Sequence, residues 1–239
     1  MKNLLLIISS VLIVAGQIFA QFNSQKFGLA FNGIYTTSTD IFLNPNSSDP
    51  IVRNQPFTLE DIFSYGLDLR YRFSESVLFG ISSEYINKTK TAPNIVLQDS
   101  TGQFRRVNIN DGFELIPVEI SIYYYLPFST ESFKFVMGGG VGYYWGRFIR
   151  KVLTAEAIIQ ERKFAIGIHV SASMDYIIFK NLSARFEMKF RDPEFKVVNK
   201  YSPTIVKFEG RENSLIDSDF ETKINVNGIT FILGLVYQF

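Results

Sequence analysis

The chain carries one histidine, His169, two residues before Ser171. A serine beside an imidazole is the nucleophile–base pair of acyl-transfer chemistry, and Asp175 or Glu187 would supply the carboxylate that orients the ring. Parity argues against that use. His169, Ser171 and Ser173 alternate with Ile168, Val170 and Met174, so on a strand they share the polar face. A membrane-lipid hydrolase would need them on the apolar face. The expectation is a histidine in a hydrogen-bond network, with no catalytic residue, no metal and no cofactor. Gly138-Gly139-Gly140-Val141-Gly142 is the second candidate, as a phosphate cradle. Such loops deliver the phosphate to a helix N-terminus, whereas Tyr143-Tyr144-Trp145 continues a strand pattern. Glycine making room inside a narrow barrel is the better account.

The third constellation is electrostatic. Asp68, Glu84, Glu119, Asp175 and Glu187 share the polar parity with Arg70, Arg72, Lys134, Arg185, Lys189 and Arg191. Charges gathered on one face of successive strands need either water or each other.

The elements that hold these residues repeat with a period of two. In Ile62–Phe73 the odd positions are Phe63, Tyr65, Leu67, Leu69, Tyr71 and Phe73, with Ser64, Gly66, Asp68, Arg70 and Arg72 between them. One face is therefore apolar and the other polar. The pattern recurs around Phe27–Tyr35, Val77–Tyr85, Ile116–Tyr124, Phe133–Trp145, Phe164–Tyr176, Leu182–Arg191 and Ile229–Phe239, which makes eight strands. The apolar face is large and aromatic, while the polar face mixes glycine and serine with charges of both signs. That is the inverted arrangement of a barrel in lipid, and closure is how a β chain satisfies its backbone there. The joints at Ser74–Ser76, Pro127–Ser132 and Lys180-Asn181 are short; those at Thr36–Asp61, Asn87–Gly112, Phe148–Lys163 and Asp192–Lys223 are long. This strict alternation predicts a closed antiparallel eight-stranded transmembrane β-barrel of up-and-down topology, with short periplasmic turns, long extracellular loops and both termini periplasmic. Eight strands leave an interior just wide enough for side chains, so the inward charges, with His169, are expected to pair as a cross-linked plug. An aqueous channel is the alternative.

Bulk composition agrees. Aromatics make up 15% of the chain, enough for girdles at both membrane interfaces. Cysteine is absent, which excludes disulfides, thiolate metal sites and a lipoprotein anchor. A net charge of +1 leaves no footprint for nucleic acid. Residues 1–20 read as an export signal, with Lys2 before the apolar Leu4–Ala15 run and Ile18-Phe19-Ala20 as cleavage site. That run is short for a bilayer core of about 30 Å. Residues 21–239 form the barrel domain.

The closing segment Gly228–Phe239 resembles the last strand of outer-membrane barrels. Ile116-Pro117-Val118 leading into Tyr123-Tyr124-Tyr125, and Gly138–Tyr144, are similar to central strands of the porin-like outer membrane protein β-barrel family of small OmpA- and OmpW-like barrels. The resemblance implies residence in the outer membrane of a Gram-negative bacterium, among outer-membrane lipids and lipopolysaccharide. It also implies that Tyr237 and Phe239 belong to the signal read by the barrel assembly machinery. Its implication for activity is weak, since such barrels host many roles. The expected role is non-enzymatic, structural or surface-interacting, with an unnamed surface partner. Porin-like passage of small, even hydrophobic, solutes is the runner-up and a lipid hydrolase comes third.

Overall fold

The computed structural model describes residues 25–98, 104–163, 165–215 and 219–239. The expected export signal, residues 1–20, lies outside them, as does Phe164. The strands in chain order are β1 (Phe27–Phe42), β2 (Pro56–Arg72), β3 (Val77–Gln98), β4 (Phe104–Tyr125), β5 (Phe133–Val152), β6 (Ala155–Arg162), β7 (Ala165–Phe179) and β8 (Leu182–Arg191). They continue with β9 (Glu194–Ser202), β10 (Ile205–Phe208), β11 (Arg211–Ser214), β12 (Phe220–Asn225) and β13 (Thr230–Gln238).

Eight of them, β1 to β5, β7, β8 and β13, pair antiparallel in chain order, and β13 pairs back onto β1. The eight-stranded up-and-down barrel follows the expected order. The register fixes its slant. From Lys26, beside Arg72, the pairing runs through Leu78, Tyr123, Gly138, Ser171, Lys189 and Thr230 to Thr36, ten residues further along β1. That stagger tilts the strands by about 40° and holds the interior to side-chain width.

On the outside, Phe31, Leu67, Ile81, Ile120, Val141, Ile168 and Leu235 are all exposed. A continuous apolar face of this size suits hydrocarbon rather than water. Aromatic pairs edge it. Phe27 lies 5.1 Å from Tyr71 and Phe133 5.0 Å from Tyr176 near the short turns, while Tyr35 lies 5.1 Å from Phe63 at the opposite rim.

Beyond that rim the structure departs from the sequence reading. Much of each long joint is strand rather than loop, because β1 to β5 run on past the membrane and β6, β9 and β12 complete the wall above β7, β8 and β13, while residues 43–55 remain a loop with one helical turn at Pro50–Arg53. Within the long joint Asp192–Lys223, Phe195–Val198 pairs with β6 and β12, and Ile205–Phe208 pairs with β11. The cause is a change of phase. Along β2 the even positions face inward up to Ile62, Asp61 takes a left-handed φ of 54°, and then Leu59 faces inward. Inward residues turn apolar at the same level. Ile41, Leu59, Ile62, Ile86, Phe113, Leu115, Phe148, Phe195 and Ile224 build one buried core, and Leu97, Val107, Ile109, Val152, Tyr201, Val206 and Leu215 build a second. A strand set that inverts its polarity halfway defeats a reading based on one period.

Candidate functional site

Below those cores the barrel interior is charged. The alternation of Leu182–Arg191 aims Arg185, Glu187, Lys189 and Arg191 of β8 into the lumen as a ladder. In an eight-membered ring β3 stands opposite β8, and the ladder reaches β3 and its two neighbours. Arg70 of β2 donates to Glu187 at 2.6 Å and grips Asp68 through Nε and Nη2 at 2.8 to 3.1 Å. Arg185 forms a fork with Asp175 of β7 at 2.7 and 2.8 Å and lies 3.7 Å from Asp68. Lys189 meets Glu119 of β4 at 2.6 Å. Arg191 meets Glu84 of β3 at 2.5 Å and stands 3.6 Å from Glu119. All nine side chains are at most 8% exposed. Each buried charge therefore has an opposite partner, as removal from water demands.

Glycine and tyrosine fill the gaps. A Cβ on Gly138 would stand 2.2 Å from the Tyr123 ring, and one on Gly80 would stand 2.7 Å from it. Tyr123 thus lies across two neighbouring strands, under Arg70, whose guanidinium carbon is 3.7 Å from the ring centroid. Tyr144 donates to Glu119 at 2.9 Å. A cavity of about 20 Å³ remains beside Asn32, Asp68, Glu84 and Glu119. It is about the space of one water molecule. Leu78, Tyr123 and Val136 close the layer from below.

His169 is 2% exposed, and its Nε2 lies 2.8 Å from Ser121 Oγ rather than against Ser171. Ser121 pairs across Gly140, and Gly140 across His169, so the two side chains meet over a residue that has none. No carboxylate holds Nδ1, which is buried without a hydrogen-bond partner. Asp175 and Glu187, the expected orienting acids, are engaged by Arg185 and Arg70.

Of the twelve residues expected in the lumen, Arg72 and Lys134 stand apart. They are half-buried at the turn end of the barrel, and among the described residues neither forms an ion pair. Lys134 lies opposite Asp175 in register, yet both oxygens of Asp175 are taken by Arg185. Arg72 instead has the Tyr125 ring at 5.8 Å. Tyr237 is exposed on the apolar face, and Phe239 stacks 5.9 Å from Phe27 while exchanging backbone hydrogen bonds with it.

The sequence reading missed the polar residues of the loop-end tier. Asp111 and Arg150 form a buried fork at 2.6 and 2.7 Å, capped by Tyr201 at 3.2 Å. Tyr144 was legible by parity, since it shares the face of Gly140 and Gly142. On the surface, Lys163 donates to Glu221, and that hydrogen bond holds the Glu221 carboxyl below the ordinary range.

No protein-family model matches this chain, and no curated protein matches it. Solved structures do. The outer membrane protein OprG from Pseudomonas aeruginosa superposes with a TM-score of 0.58 at 13% identity, covering 90% of this chain and 96% of OprG. Neisserial surface protein A gives 0.48 at 13% identity over 89% and 97% of the two chains. Ail, the attachment invasion locus protein of Yersinia pestis, gives 0.46 at 12% identity over 90% and 100%. The fold of this chain is that of the small outer-membrane β-barrels.

Proposed function

We propose that this chain is a non-enzymatic integral protein of a bacterial outer membrane, with a structural or surface-interaction role and a closed lumen. Residues 1–20 are its export signal and residues 21–239 its barrel domain, with both ends in the periplasm. Lipid and lipopolysaccharide surround the apolar belt, and Tyr237 and Phe239 belong to the signal for barrel assembly. The belt and the superposition on OprG support the location. The closed lumen rests on one observation, the β8 ladder crossing to β2, β3 and β4 between an apolar seal below and an apolar core above. In planar-bilayer recordings the purified protein is expected to give no large steady conductance; such a conductance would refute the plug. Replacing His169 by alanine is expected to leave the masses of envelope lipids unchanged, and an altered lipid profile would revive the hydrolase.

A second reading, passage of small apolar solutes, draws support from a seam. Pairing between β2 and β3 stops at Tyr65 and Tyr85. Above it Lys88 Nζ bridges to the Asp61 carbonyl at 2.9 Å, with Leu59, Ile62 and Ile86 of the core behind. Proteoliposomes that take up a small apolar dye faster than empty vesicles would favour this reading over the closed barrel.

A further inference from the structure

The mouth at the turn end has a charge pattern unlike the layer above it. In that layer five carboxylates face four cations, all paired. At the mouth Arg72 and Lys134 face a cavity of about 210 Å³, bounded also by Tyr125, Ser129 and the exposed Glu75. A separate recess of about 20 Å³ shares Arg72 and Tyr125 with it and is lined also by Arg70 and Arg185. Arg72 Nε and the Nη1 atoms of Arg70 and Arg185 are buried and donate no hydrogen bond. Arg70 and Arg185 are 3% and 5% exposed. Three guanidinium donors without acceptors, one of them on Arg72, together with the Lys134 ammonium form a site suited to an oxyanion.

We infer that this mouth binds the carboxylate of a small water-soluble molecule that enters along the barrel axis. The Arg72 guanidinium offers a planar fork that matches a carboxylate, Lys134 adds a point charge, and Tyr125 supplies a flat wall. Glu75 at the lip leaves the lining with one net positive charge, which suits a monoanion better than a phosphate dianion. Arg72, Tyr125 and Lys134 share the inward parity of Arg70, Tyr123 and Val136, so the cavity opens along the barrel axis rather than onto the apolar belt. Leu78, Tyr123 and Val136 close the route above, so the ligand docks rather than crosses. Under the proposed orientation the ligand comes from the periplasm, though the site itself needs only a folded barrel.

Nitrogen-15 spectra of the full chain refolded in detergent test this directly. Dispersed strand amides in the same spectrum report that the barrel is intact, so loss of the site and loss of the fold are told apart. N-acetylalanine is expected to shift the Arg72 Nε and Lys134 Nζ signals saturably at millimolar concentration, and N-acetylalanine amide to shift neither. Arg72→Gln or Lys134→Gln is expected to weaken binding about tenfold, the loss of one charged hydrogen bond. Arg72→Lys serves if Arg72→Gln does not fold, and it too should weaken binding because the fork is gone. Glu75→Gln should tighten binding severalfold. Equal shifts from the acid and its amide, or unchanged affinity in both the Arg72 and Lys134 variants, overturn the site. Inorganic phosphate binding more tightly than N-acetylalanine overturns the carboxylate assignment.

Discussion

The two storeys of this barrel share five continuous strands and follow opposite rules. In the membrane storey β2 presents Phe63, Tyr65, Leu67 and Leu69 outward and Asp68 and Arg70 inward. In the storey above, the same strand turns Leu59 inward, and β1, β3 and β4 bury Ile41, Ile86 and Phe113 while Glu60, Asn87 and Thr89 face out. Apart from the β2–β3 seam, antiparallel pairing continues from one storey into the other, so pairing does not set the polarity. The surroundings do. Hydrocarbon outside requires an apolar wall and leaves charges to be satisfied within; water outside allows an ordinary apolar core. Asp61, with its positive φ, marks the change of phase on β2.

The contrast is broken most severely from inside the membrane storey. Glu119 holds Lys189 and Tyr144 and stands beside Arg191. Glu119→Ala strands buried cations and is expected to cost about 3–5 kcal/mol, read as a lowered midpoint in denaturant unfolding from lipid vesicles. A loss near zero would mean that the layer is hydrated and not tied. Next comes a matched pair of arginines on outward isoleucines of similar exposure, Ile120 at 59% and Ile158 at 49%. Ile120→Arg meets hydrocarbon and should cost about 2–4 kcal/mol. Ile158→Arg meets water and should stay within about 0.5 kcal/mol. Equal costs in the same unfolding assay would erase the boundary between the storeys. The smallest effect concerns pH. Because the Lys163 hydrogen bond lowers the folded carboxyl of Glu221, its stabilising contribution is complete above the ordinary carboxylate range and fades as pH falls through the folded value. The stability gap between wild type and Glu221→Gln should therefore close in acid, and a gap that widens there would contradict the pairing.

The sequence made the membrane storey legible because one period governs it. Inward Asp68 and outward Leu67 follow from parity alone, as do the eight strands and their order. Partnership did not follow from parity. Arg70 meets Glu187 and Lys189 meets Glu119 across the lumen because ten residues of stagger bring those levels together, and stagger is a property of the closed ring. His169 paired with Ser121 instead of the nearby Ser171 for a related reason, since Gly140 lies between them on the intervening strand. The upper storey was opaque where its phase slips at Asp61 and where inward residues become apolar, so strands looked like loops. Arg72 and Lys134 shared parity with the plug, but Arg185 already holds both oxygens of Asp175, the carboxylate opposite Lys134.

The diametral reach of the β8 ladder has a mechanical consequence. A hollow tube of eight strands resists bending along its hydrogen bonds but is soft to flattening, because hinge-like pairings between strands carry little load across the section. Links from Arg70 to Glu187, Lys189 to Glu119 and Arg191 to Glu84 run from rim to rim like the spokes of a wheel. They keep the cross-section round under the lateral pressure of the bilayer, and with it the outline that neighbouring lipids pack against.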